Sequence, residues 1–299
     1  MEEEVRHGHR VVRLTALERA WWPDEGIMKA DAVAYYRAVA TALLPHLRNR
    51  PFTMKQHYTG PRSPFRWIKD APPAMPDWIP VSPQPAKSRR GALVRYPLVN
   101  DELALLWMIE LGCVDLHVWT SRADRPDRPD FVLFDLDPKG VEFRDVARAA
   151  LLLRDALTAL GLASCAMTTG GDGLHVRVPI ARRHTHQEAQ GFAEVVAGAL
   201  VRAAGGLVTG ERSLARRHGV FVDTKMNGHG QQVVAPYSLR PRPGAPVAAP
   251  LRWDEVGPAL DPASFTPATV RARVERDGDL LAPLLAGRQR LERALAAFA

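Results

Sequence analysis

The sequence predicts an α/β (α+β) fold. Short apolar strands alternate with amphipathic helical stretches along 299 residues, which argues for helices packed on a sheet. Two of the strands, FVLFDLD and VFVD, run apolar and then end in acid. At 46% hydrophobic, the chain has ample material for a packed core.

The elements follow in order. Val11–Leu14 alternates as a strand, and Ala30–Leu47 carries helical spacing behind Asp31. Pro51–Gln56 is a strand. Residues 60–91 hold many Pro, Lys and Arg, with Trp67 and Trp78, and are expected to be loops with short strands. A helix at Asp101–Gly112 leads to a strand at Val114–Trp119, and Ser121–Asp130 is a charged, Pro-rich crossing. Phe131–Leu136 is an apolar strand, Phe143–Leu160 an amphipathic helix closed by Gly161, and Ala163–Thr168 a strand. The turn Thr169–Gly173 joins it to a strand at Leu174–Pro179. Thr185 and Glu188 form a capping box for a helix through Ala204. Gly219–Asp223 and Gln232–Pro236 read as a strand pair around a polar turn, and the stretch from Pro262 to Ala299 reads as helix broken by Pro.

Net charge is +7, which favours anionic partners such as nucleic acid or phosphates. Cys113 and Cys165 have neither CxxC nor Cys/His spacing, so both are expected as buried reduced thiols, with no zinc or disulfide framework. MEEEVRHGHRVVRL lacks the apolar core of a signal peptide, and no apolar run reaches the ~18 residues of a membrane span. The expectation is a cytoplasmic protein.

Four constellations carry chemistry. Asp135 and Asp137 are two apart at a strand end, so both carboxylates share a face suited to hard divalent cations. Asp-x-Asp alone also fits phosphohydrolases, sugar transferases and a plain turn at Pro138–Gly140. Asp223, ending a second strand, supplies the third carboxylate that a two-ion site needs. The turn TTGGDG offers backbone N–H groups and the Thr169 hydroxyl to phosphate, with His175 just beyond; it lacks the P-loop lysine. Lys55, Arg216, Arg217, Lys225 and Arg240 are suited to a triphosphate, and PFRWIK to stacking on bases.

The order LTALERAWWPDEGIMKADAVAYY, LLPHLRNRP, GCVDLHVW, FDLDP, TTGGDGLHV, VFVDTKMNG, APYSLR, PLRWDE and FTPATVRARVERDGD resembles the archaeo-eukaryotic primase (primase-polymerase) superfamily. Within it, the chain is most similar to the polymerase domain of bacterial DNA ligase D and its stand-alone relatives. The resemblance implies one domain over 1–299 with a two-lobed fold and a cleft between the lobes. These are a mixed N-terminal lobe at about 1–120, a catalytic lobe with an RRM-like sheet at about 121–255, and a helical extension at 256–299.

It implies a template-dependent nucleotidyltransferase that extends DNA primers, preferably with ribonucleotides, at gaps or double-strand breaks in non-homologous end joining. Asp135, Asp137 and Asp223 match the catalytic residues that bind two Mn²⁺ or Mg²⁺ ions. Thr169, His175, Lys55, Arg216 and Arg240 match positions around the nucleoside triphosphate, and His117 a position near its sugar. Arg19 and Lys29 match a 5′-phosphate site on DNA, and Trp67 a stacking aromatic. Thr169, Asp172, Met226, Arg19 and Trp67 depart from the usual residues. Asp172 and Met226 favour the alternative of a non-catalytic DNA end-binding or synapsis module. No ligase or nuclease pattern is visible, so a Ku-like protein and a separate DNA ligase are the implied partners. The location implied is cytoplasmic and nucleoid-associated.

Overall fold

The computed structural model describes residues 1–86 and 91–297. The expected loops at 60–91 and the helical stretch to Ala299 therefore lie partly outside the described residues. The chain divides into two compact units. One comprises 1–124, 232–247 and 265–278; the other comprises 125–231, 248–264 and 279–299. Both are discontinuous, unlike the contiguous lobes expected, and the stretch 256–299 is shared between them instead of forming an extension.

The second unit is built on a six-stranded sheet. Its order is Val208–Thr209, Gly219–Asp223, Phe131–Lys139, Leu174–Pro179, Cys165–Thr168 and Pro250–Leu251. All neighbours are antiparallel except the first pair. Helices Phe143–Ala159 and His186–Ala203 both pack on the central strand Phe131–Lys139. The first buries Val146, Ala149, Ala150, Leu153 and Leu157 at helical spacing. Thr185 and Glu188 cap the second as expected. Phe134 meets Phe192 edge-on at 6.5 Å, so even-numbered residues of the central strand face the helices. Alternation turns Asp135 and Asp137 to the other face.

The central strand runs through Lys139, which replaces the turn considered at Pro138–Gly140. Pro138 is tolerated because pairing with Leu174–Pro179 ends at Leu136, leaving the side without a donor unpaired.

Gly219–Asp223 does not pair with Gln232–Val234. Its edges are filled by Phe131–Lys139 and Val208–Thr209, while Gln232–Val234 pairs with His117–Trp119 in the first unit. That unit carries a four-stranded sheet in the order Gln232–Val234, His117–Trp119, Phe52–His57 and Phe65–Ile68. Helices Lys29–Leu47, Glu102–Glu110 and Pro267–Asp277 belong to it, as does an N-terminal hairpin of Glu3–His7 and Arg10–Leu14. Cys113 is buried as expected, whereas Cys165 is only half-buried.

Asn227 completes the six-stranded sheet by a side chain. Pairing of the central strand with Gly219–Asp223 reaches only Asp135. Beyond that point the fully buried Asn227 amide accepts from Leu133 N at 2.8 Å and donates to Leu133 O at 2.7 Å and Thr224 O at 2.8 Å. These partners fix its orientation. Asn227→Ala would strand two buried backbone groups, and we expect a loss of about 3 kcal/mol in urea unfolding. A change under about 0.5 kcal/mol would show that the clasp carries no stability.

Candidate active site

The antiparallel register lines up three side chains across the sheet. Asp135 lies opposite Asp223 on one side and opposite His175 on the other. Asp137 is one pleat further along the same face. His175 Nε2 stands 3.3 Å from Asp135 Oδ1, and a nitrogen of Arg177 lies 3.2 Å from His175 Nδ1. A guanidinium can only donate, so Nδ1 accepts and Nε2 carries the proton, on the side of the ring nearer Asp135. Arg177 itself is 2% exposed, which makes it a rigid brace for the imidazole.

Asp137 is exposed, yet its pKa is pushed up to about 7. Partial desolvation is the largest cause, followed by the charges of Asp135 and Asp223; Arg217 acts in the opposite direction. Arg217 lies over the Phe221 ring at 3.6 Å, and Phe221 is the cross-strand neighbour of Asp137. Arg216 is instead paired with Glu211 at 3.1 Å and is largely exposed.

The Gly-rich turn is closed from within. Thr169 Oγ1 accepts from Gly171 N at 3.2 Å and Gly173 N at 3.3 Å, and Thr169 N donates to Gly173 O at 3.1 Å. Those N–H groups point inward, so the Thr169 hydroxyl shapes the turn. A methyl group at Gly173 would sit 2.6 Å from Leu136 O and 3.3 Å from Asp137 Oδ1. Only glycine lets the turn approach the carboxylates this closely.

The donor set suits Mg²⁺ or Mn²⁺. It offers oxygen ligands on one face, and Asp135 Oδ1 is a buried oxygen without a hydrogen bond. Asp223 Oδ1 accepts from Lys225 N at 2.8 Å, which orients that carboxylate. Among the described residues, no three His, Cys, Asp or Glu side chains already form a cation cage. The three carboxylates would have to draw together on an ion.

In the first unit, three of the sequence-predicted residues converge on a residue that sequence reasoning gave no role. The Asp115 carboxylate is fully buried. It receives Lys55 Nζ at 2.6 Å, His117 Nε2 at 2.9 Å and Arg240 Nε at 3.4 Å. Burial alone would raise its pKa, but His117, Arg240 and Lys55 outweigh that and hold it far below the usual carboxylate range. The available signal was an acid inside the apolar run GCVDLHVW, since a buried charge must be paired. Trp67 stands edge-on to His117 at 5.0 Å and is 47% exposed. Lys55 Nζ lies 4.4 Å from the Phe65 ring centroid.

Arg19 and Lys29 line one pocket of about 170 Å³ with Trp21, His57, Gly60 and Glu110. Lys29 Nζ is paired with Glu110 at 2.6 Å, and Arg19 is exposed. Burial lowers the pKa of His57, which favours its neutral form. Gly112 packs against His57, where a methyl group would fall 2.1 Å from its carbonyl oxygen.

The elevated Asp137 pKa has a signed consequence. An unfolded Asp ionises near 3.8, whereas folded Asp137 holds its proton to about 7. Folding therefore takes up a proton between those values, and this contribution to stability is lost as pH rises through 7. In EDTA, Asp137→Asn should gain stability relative to wild type from about pH 5 to about pH 8. Parallel unfolding midpoints across that range would show that Asp137 does not titrate this way.

Comparison with known proteins places the chain. The family model described as LigD, primase-polymerase domain, matches residues 28–281. A multifunctional non-homologous end joining DNA repair protein LigD of Mycobacterium tuberculosis is 33% identical over 90% of this chain and 36% of its own length. The bifunctional LigD of Bacillus subtilis is 29% identical over 92% of this chain and 44% of its own length. The chain thus spans less than half of either relative. The solved polymerase domain of Mycobacterium tuberculosis ligase D, in complex with DNA, superposes with a TM-score of 0.85 at 31% identity, covering 93% of this chain and 99% of that one. With the carboxylate-bearing sheet, these matches establish that the chain belongs to the LigD primase-polymerase domain family.

Proposed function

We propose that this protein is a template-dependent nucleotidyltransferase that extends DNA ends or gaps during non-homologous end joining. The observation that carries this reading is the register placing Asp135, Asp137 and Asp223 on one sheet face beside His175. Likeness over the whole polymerase domain of a ligase D bound to DNA supports it.

The reaction joins a primer 3′-hydroxyl to the α-phosphorus of a nucleoside triphosphate and releases pyrophosphate. Asp135, Asp137 and Asp223 would hold two Mn²⁺ or Mg²⁺ ions, which when bound lower the pKa of the attacking hydroxyl and offset charge on the triphosphate. His175, with its Nε2 proton directed by Arg177, offers a donor beside Asp135. Lys55 and Arg240 supply fixed positive charge for the phosphates. His117 meets the nucleotide sugar, with ribonucleotides preferred. Trp67, exposed on its strand, stacks on a base. Arg19 and Lys29 take a DNA 5′-phosphate, for which Lys29 must exchange its Glu110 partner. Arg216, paired with Glu211, would reach a triphosphate only by leaving that carboxylate. A Ku-like protein and a ligase act with it, in the cytoplasm.

The test is extension of a labelled primer on gapped DNA bearing a 5′-phosphate, with Mn²⁺ and with ribo- or deoxyribonucleotides in turn. Asp135→Ala and Asp223→Ala should each lower extension by about three orders of magnitude while retaining DNA binding. Full extension by either variant would sink the metal assignment. Tight DNA binding without extension by the wild-type protein would identify an end-binding module instead.

A further inference from the structure

Asp115 stands in no role that the reaction requires, yet the fold is organised to bury it. The segment around it is tied on both sides. Tyr36 donates its hydroxyl to Val114 O, Leu116 N donates to Ser238 Oγ at 2.8 Å, and Ala235 N donates to Leu116 O at 2.9 Å. Leu239 N donates to the same Tyr36 hydroxyl at 2.9 Å. The stretch from Ala235 to Leu239 leads into Arg240, so one network fixes Asp115 and delivers Arg240 to it. Lys55 comes from a different strand, and its register places it on the face of His117, because Thr53 is the partner of His117. Three chain segments thus meet at one carboxylate.

Burying a carboxylate among cations is a poor route to stability, since an apolar replacement of similar volume often serves as well. What the arrangement achieves is orientation. The side chains of Lys55, His117 and Arg240 are each held at one end by Asp115 while retaining 12%, 12% and 19% exposure. Long flexible cations become a fixed array.

We propose that Asp115 is the positioning residue that holds Lys55, His117 and Arg240 in the arrangement that binds the incoming nucleotide. The proposal rests on the polymerase reading above. Its test uses the full chain and primer extension on gapped DNA, comparing wild type with Asp115→Asn. The expected result is a nucleotide KM raised by about ten- to a hundredfold. The KM for DNA should be unchanged, and the ratio of ribo- to deoxyribonucleotide KM should move toward unity as His117 loses its anchor. A folded Asp115→Asn protein with wild-type nucleotide KM and sugar ratio would overturn the proposal. Should Asp115→Asn fail to fold, the charge-balanced pair Lys55→Met/Asp115→Asn is compared with Lys55→Met alone. A further rise in nucleotide KM supports the role, because Arg240 and His117 still lose their anchor; equal values overturn it. Absence of extension by the wild-type protein would instead count against the polymerase reading.

Discussion

The structure depends on the register of one antiparallel strand pair. Asp135 opposes Asp223 across the central strand, with Asp137 one pleat away, so three carboxyl groups are pressed onto one sheet face. Partial desolvation, and after it the charges of Asp135 and Asp223, raise the pKa of Asp137, so the arrangement opposes folding where all three are ionised. It persists because the strands beneath are over-determined. Phe134 packs on Phe192, the ladder to Leu174–Pro179 is continuous from Phe131 to Leu136, and Asn227 fills the gap where the other ladder stops. The apolar face supplies the rigidity that the polar face spends.

The first unit solves the opposite electrostatic problem. There one buried acid gathers the Lys55 ammonium, the Arg240 guanidinium and the His117 imidazole. The carboxylate trio presents oxygen donors on one sheet face. The cluster of Lys55, His117 and Arg240 has its counter-charge built in, as Asp115.

Much of this was legible in the sequence. Leu174–Pro179 and Gly219–Asp223 have the expected bounds, and the Thr185/Glu188 capping box formed as read, because each is a local pattern. The Asp-x-Asp spacing placed both carboxylates on one face by strand geometry alone. What failed was pairing between segments distant in sequence. Gln232–Val234 has the alternation of a strand, but nothing in it names His117–Trp119 as its partner. Asp115 and Asn227 were invisible as functional positions for the same reason, since their meaning lies in groups brought from 60 to 125 residues away (Lys55, Arg240 and Leu133). Arg216 and Arg217 could not be told apart until the fold stacked one on Phe221 and paired the other with Glu211.

The side-chain clasp of Asn227 makes the segment from Asp223 to Asn227 a tether of fixed length. One end is a carboxylate of the site, and the other grips the backbone two residues ahead of Asp135. The tether spans the frame in which Asp135 and Asp223 meet. Gaining or losing a single residue inside it would move the amide off Leu133 or slide Asp223 by one position, which in a strand turns the carboxylate to the helix-covered face. Substitution of side chains such as Met226 leaves that length intact. The residue count of this stretch, more than its side-chain chemistry, fixes the frame in which Asp135 and Asp223 meet.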